Sequence, residues 1–182
     1  QRLASNALLC YVDADIILMK DFMRAIKTVA PWNPSFLMVA QRWDMELKGP
    51  VNFSNPRWEH DLRSRVMLKG KIHGPAGGSC VAFTRGLYQD IPPFAIGCSA
   101  WENWLIYRIR ALGAPVVDAT RFMAPMHQNH DVADPLNEAG QRSLEEAETN
   151  LKMAGELEST FSISDADWLL TPRGFVKPKR TI

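Results

Sequence analysis

The sequence predicts an α/β fold, a mainly parallel sheet flanked by helices, and three observations carry that expectation. Ala7-Leu8-Leu9-Cys10-Tyr11-Val12 is an unbroken apolar run that ends on acidic residues, as a strand buried on both faces does. Apolar residues at helical spacing follow at once, from Lys20 to Ala30, and strand-like and helix-like stretches keep alternating as far as Val116-Val117. A chain of 182 residues, 46% hydrophobic and 23% charged, can bury one continuous core without disulfides or structural metal.

Each element has its own signal. The first strand delivers Asp13 to its carboxyl end. Phe22, Met23, Ala25, Ile26 and Val29 then give the Lys20 segment one apolar face, and Pro31 closes it. Phe36 to Ala40 reads as the next strand, and Trp58 to Leu68 as a helix entered from a loop that holds Gly49, Pro50 and Pro56. Cys80 to Phe83 is a short apolar strand. Trp101, Trp104, Leu105, Ile106, Ile109 and Leu112 recur at steps of three and four, with Gly113 placed to end that helix, and Val116-Val117 is a returning strand. From Asn137 to Leu157 the chain turns rich in Glu, Ala and Leu, which predicts a helix over the domain, with Trp168-Leu169-Leu170 docking the tail. The organisation expected is one domain, its main part over residues 1–135 and a helical extension, 136–182, packed on it.

Charge and cysteine usage narrow the function. A net charge of +1 removes the electrostatic case for nucleic acid, and Lys177, Lys179 and Arg180 form only a small basic tail. Cys10, Cys80 and Cys98 are widely spaced, without a CxxC pair; Cys10 and Cys80 lie in apolar runs and read as buried small hydrophobes. A reducing, cytoplasmic setting fits that usage. No apolar run approaches the ~20 residues needed to span a bilayer.

Two clusters offer chemistry. Asp13-Ala14-Asp15 puts two carboxylates one residue apart just beyond a strand end, where ligands of α/β sheets bind. A shared divalent cation would relieve their repulsion and neutralise a diphosphate, although the same spacing also suits a turn and cap ahead of the Lys20 helix. His127-Gln128-Asn129-His130-Asp131 is the second cluster, whose imidazoles and carboxylate together suit Mn²⁺ better than Ca²⁺. Pro75-Ala76-Gly77-Gly78-Ser79 permits close backbone approach to a ligand, or simply a tight turn; it has neither the lysine of a P-loop nor dinucleotide-type glycine spacing. In Trp101-Glu102-Asn103-Trp104 the tryptophans are expected in the core, with Glu102 and Asn103 on a cleft. Glu102 also suits a helix N-terminus on electrostatic grounds alone.

Taken in order, these pieces resemble GT-A glycosyltransferases. Similarity is closest between Gly74 and His127, where Pro75-Ala76-Gly77-Gly78, Trp101-Glu102-Asn103 and a histidine after a short strand are similar to the Gly-Gly, Trp-Gly-Glu-Asn and Val-Gly-His series of polypeptide N-acetylgalactosaminyltransferases and related family 2-like enzymes. Asp13-Ala14-Asp15 matches the DxD that precedes that series. The resemblance covers about residues 7 to 131. It implies transfer of a sugar from a nucleoside diphosphate sugar to a hydroxyl-bearing acceptor. It also implies that Asp15 and Asp13 bind Mn²⁺ or Mg²⁺, that His127 completes the metal shell, that Gly77 and Gly78 line the sugar pocket, and that Glu102 contacts sugar or acceptor or serves as the base. Trp101, Asn103 and His130 are further substrate-side candidates. Trp-Glu-Asn-Trp departs from Trp-Gly-Glu-Asn, so a retaining and an inverting outcome both stay open.

The relatives carry further strands ahead of the DxD, whereas twelve residues precede Asp13 here. The resemblance therefore implies an N-terminally truncated GT-A domain, with an uncovered first strand that associates with a second copy as a homo-oligomer. Two rival readings remain at this point. One is a metal-dependent hydrolase using Asp13, Asp15, His127, His130 and Asp131; the other is a catalytically silent binding remnant.

Overall fold

A computed structural model of the chain describes residues 3–76, 80–129, 138–155 and 157–179. It is an α/β protein with two mixed sheets. The larger has six strands in the order β1 (Leu8–Val12), β6 (Cys80–Thr84), β3 (Leu37–Val39), β7 (Val116–Asp118), β9 (Trp168–Thr171) and β10 (Gly174–Val176). The smaller has four in the order β2 (Ile16–Ile17), β8 (Met126–Gln128), β4 (Trp43–Met45) and β5 (Lys71–Ile72). Helices α1 (Lys20–Trp32), α2 (Trp58–Lys69), α3 (Trp101–Ala111) and α4 (Glu138–Ala154) complete the elements, with two short 3₁₀ turns after α4.

Alternation along β3 and its neighbours builds two layers of core. Leu37, Val39, Val81 and Phe83 point to one face, where they meet Trp101, Trp104, Leu105 and Ile109 of α3. Met38, Ala82 and Val117 point to the other, against Ala25 and Val29 of α1. The small sheet has a core of its own, in which Met45 and Met126 pack on Leu62 and Val66 of α2. Asp21, only 1% exposed, ties these layers together: Arg63 of α2 and the backbone N–H of Ala124 both donate to its carboxylate. The bond from Ala124 holds the chain two residues before β8 against α1.

Several expectations need correction. The large sheet is not mainly parallel: β3, β7 and β9 run parallel, but β6 is antiparallel to both β1 and β3, and β10 to β9. An apolar run reports burial and carries no direction, and the excursion through β4, α2 and β5 brings the chain back reversed. The first strand is not buried on both faces. It forms an edge with β6 as its one neighbour, leaving Cys10 exposed and Val12 38% exposed, so Cys10 is not a core residue, whereas Cys80 is. α1 continues through Pro31 to Trp32, although the proline gives up the hydrogen bond to the carbonyl four residues back, and the helix ends one residue later. Residues 136–182 are more than a helical extension: β9 and β10 follow α4 and enlarge the main sheet, so Trp168 to Leu170 is a strand of it. Among the described residues, no helix is long and apolar enough to cross a membrane.

Candidate functional site

The site is assembled by the short strands. After β1 the chain turns, with Ile16 N–H donating to the Asp13 carbonyl at 3.2 Å, and enters β2, where Ile16 pairs with His127. On the other side of β8, Asp44 of β4 is the parallel partner of His127. β4 alternates. Trp43 and Met45 pack toward α2, so Arg42, Asp44 and Glu46 face the opposite way. Met126, fully buried beneath, pins β8 so that His127 shares the face of Asp44.

Side-chain distances follow from that register. Asp15 Oδ2 lies 3.3 Å from His127 Nε2, and Asp44 Oδ1 lies 3.0 Å from His127 Nδ1, close by but outside hydrogen-bonding geometry. Asp44 Oδ1 accepts from Arg42 Nε at 2.9 Å, and its Oδ2 is 2.8 Å from His73 Nδ1. Burial raises the cost of charge on Asp44, but the bond with His73 and the Arg42 guanidinium outweigh it and hold the carboxyl below its usual range. Asp44 is thus an anion at neutral pH.

These groups line a cleft of about 1030 Å³, whose walls also carry Asp13, Lys69, Lys71, Gly97 and Asn129. Carboxylates and imidazoles gather toward one side of the lining, and Lys69 and Lys71, from the end of α2 and the start of β5, add cations to it. Such a cleft has partners for a metal ion and for the anionic group that the ion would share. Among the described residues, no group of three or more His, Cys, Asp or Glu side chains is arranged so that it could hold a metal ion.

Of the residues expected from sequence, Asp13, Asp15 and His127 are brought together. Asp13 accepts a hydrogen bond from the Tyr11 hydroxyl. Burial, that bond and the nearby charges of Asp13, Glu102 and Asp15 keep the Tyr11 phenol far above its usual range, so it stays a donor. Glu102, half-buried in the first turn of α3, is close enough to act on Tyr11 and Cys80, but it stands beside the cleft instead of on its wall. Trp101 and Trp104 are buried as expected, and the Trp101 ring meets Tyr11 edge-on at 4.6 Å. Asn103 does not face this cleft: its amide donates to the carbonyls of Ala76 and Phe161, tying α3 to two loops. Gly77, Gly78, His130 and Asp131 lie outside the described residues.

Sequence reasoning missed Asp44, Arg42, His73, Lys69 and Lys71. A signal for the first two existed, because Arg42-Trp43-Asp44-Met45-Glu46 alternates polar and apolar residues as a half-buried strand does. None of the family models, curated proteins or solved structures compared with this chain matches it. The functional reading therefore rests on the cleft.

Proposed function

We propose that this cleft binds the diphosphate of a nucleoside diphosphate sugar together with Mn²⁺ or Mg²⁺, and that the chain transfers the sugar to a hydroxyl-bearing acceptor. The observation that carries the reading is the meeting of Asp15 and His127 at 3.3 Å in a cleft that Lys69 and Lys71 also line. Two ligands of one ion, bonded at ~2.1 Å and at right angles, stand about 3 Å apart, so this pair fits a shared ion. Mg²⁺ and similar ions are commonly held by one or two carboxylates plus substrate phosphates, which suits a cleft where few protein donors converge. Asp15 and His127 would hold the ion, with Asp13 beside them. When bound, the ion would supply Lewis-acid relief of the charge that grows on a leaving diphosphate.

The chain's own groups have complementary tasks. Lys69 and Lys71 offset phosphate charge that the ion leaves uncompensated. The Tyr11 hydroxyl holds Asp13 in place. Glu102, near Tyr11 in the first turn of α3, would orient an acceptor hydroxyl or take its proton from beside the cleft.

Thermal unfolding in the presence of uridine or guanosine diphosphate, with Mn²⁺ and with chelator, tests the reading. The melting temperature is expected to rise with nucleotide only when Mn²⁺ is present. A rise with Mn²⁺ alone would favour the metal-dependent hydrolase, and no response to any combination would leave a binding remnant.

A further inference from the structure

We propose that Cys10 and Cys80 are a reversible oxidation site, at which a hydroperoxide oxidises exposed Cys10 and buried Cys80 closes the product into an intramolecular disulfide. Register brings them together. β1 and β6 are antiparallel neighbours in which Cys10 opposes Ala82 and Val12 opposes Cys80, so the two cysteines stand on a diagonal. Alternation puts both side chains on the α1 face of the sheet. Cys80 and Ala82 belong to the core layer that α1 covers, with Leu8 packed on it, whereas Val81 and Phe83 belong to the other layer together with Leu9 and Tyr11. The two thiols are in hydrogen-bond contact.

The pair is asymmetric, and the asymmetry assigns the roles. Cys10 is open to solvent at the sheet edge, while Cys80 is 2% exposed. The hydrogen bond from Cys80 holds the Cys10 thiol below its usual range, outweighing the desolvation that acts against it. The same contact, with burial, keeps Cys80 protonated. As a thiol, Cys10 donates to the Tyr11 carbonyl at 3.4 Å, a bond that ionisation gives up. Cys98 is the contrast: burial and the Glu146 carboxylate, 3.4 Å from its sulfur, push its thiol up, and Ser143 and Glu146 stand where Cys10 has a second thiol.

The chemistry balances. Cys10 sulfur attacks a peroxide oxygen, forming an S–O bond as the O–O bond breaks, and the departing oxygen takes up the proton that Cys10 gave up. Cys80 sulfur then attacks Cys10 sulfur. The S–S bond forms, the S–O bond breaks, and hydroxide leaves with the Cys80 proton as water. Two thiols lose two electrons in all, and the hydroperoxide takes them. Diagonal neighbours stand ~7–8 Å apart, at the upper edge of what a disulfide spans, so closure draws the backbones together. That shift is open to β1, which has β6 as its one neighbour, and to Cys80, the first residue of β6. A bond closed under such strain is readily reduced, which makes the site reversible instead of structural.

The inference needs neither metal nor nucleotide, and the full chain alone tests it. Reduced protein is treated with hydrogen peroxide, remaining thiols are blocked with N-ethylmaleimide, and the peptides are mapped by mass spectrometry. The expected product is a linked Cys10–Cys80 peptide that reduced glutathione removes, with Cys98 recovered as its maleimide adduct. In Cys80→Ala, a small apolar replacement in an apolar layer, dimedone should trap Cys10 as sulfenic acid about tenfold more than in wild type. Should that variant fail to fold, the wild-type map decides by itself. A map without the linked peptide overturns the proposal, and so does one in which Cys98 is linked as often as Cys10. The same holds for a link that forms only after unfolding in urea, or for a Cys10–Cys10 link between two copies in its place. Equal dimedone labelling of Cys10 in a folded variant and in wild type would show that Cys80 does not resolve it, and would sink the idea as well.

Discussion

The two sheets of this protein divide stability from chemistry. The six-stranded sheet is covered on both faces by apolar side chains, with Leu37, Val116 and Val117 of its central strands fully buried. The four-stranded sheet is built from strands of two and three residues, buries one apolar face on α2, and turns Asp44 and His127 to a cleft. Strand length does not separate them, since β3 and β7 at the centre of the larger sheet are as short as β4 and β8; burial on both faces does. The smaller sheet is anchored from one side, by Met126 beneath β8 and by the pair that buried Asp21 makes with half-buried Arg63. The difference teaches that a polar cluster is held in register by a small apolar patch behind it, not by the main core.

That division predicts unequal responses to substitution. Leu37→Ala empties a fully buried position of the large sheet and should cost about 2–5 kcal/mol in urea unfolding, through lost transfer energy and the cavity left behind. The fraction that stays folded should still respond to Mn²⁺ and nucleotide as wild type does. A lost response in folded Leu37→Ala would mean that the two regions are not separable.

His127→Ala should act the other way round. The proposed Mn²⁺-dependent rise in melting temperature, worth about 2.7 kcal/mol at a hundred times the dissociation constant, should vanish. Urea unfolding without ligand should change by only about 1 kcal/mol, because the ring faces a cleft and packs in no core cluster. An unfolded His127→Ala would show that the small sheet depends on its polar groups and would break the comparison.

Ala100 gives the smallest expected effect and sharpens the boundary. With φ 77°, it is the one non-glycine residue of positive φ among the described residues, and it sits just before Trp101 and Glu102 at the start of α3. Ala100→Gly should raise stability by about 1 kcal/mol by relieving that backbone strain. Calorimetry would detect the gain. A loss of stability would mean that the methyl group, buried against its neighbours, contributes more than the strain costs.

How much of this was legible follows from the length of each signal. α3 was readable within a residue because its apolar residues recur at steps of three and four, α2 because a loop with Gly49, Pro50 and Pro56 marks its start, and β3, β6 and β7 as apolar runs. β4, β5 and β8 were not, since they mix polar with apolar residues over two or three positions, and β2 has only two. Asp44, Lys71 and the strand setting of His127 were hidden with them.

The sequence by itself determined that this is an α/β chain whose first strand ends on two carboxylates and whose α3 buries Trp101 and Trp104. Local periodicity and composition suffice for that, because each such statement concerns neighbours along the chain. Only the tertiary structure decided strand direction, the exposure of Cys10 at an open edge, and the entry of Trp168 to Thr171 into the sheet. It alone decided that Asp15, Asp44, His73 and His127 meet. Those contacts join residues 29 to 112 positions apart, and pairings at such separations are set by which faces must be buried against each other, a property of the whole fold that no short window contains.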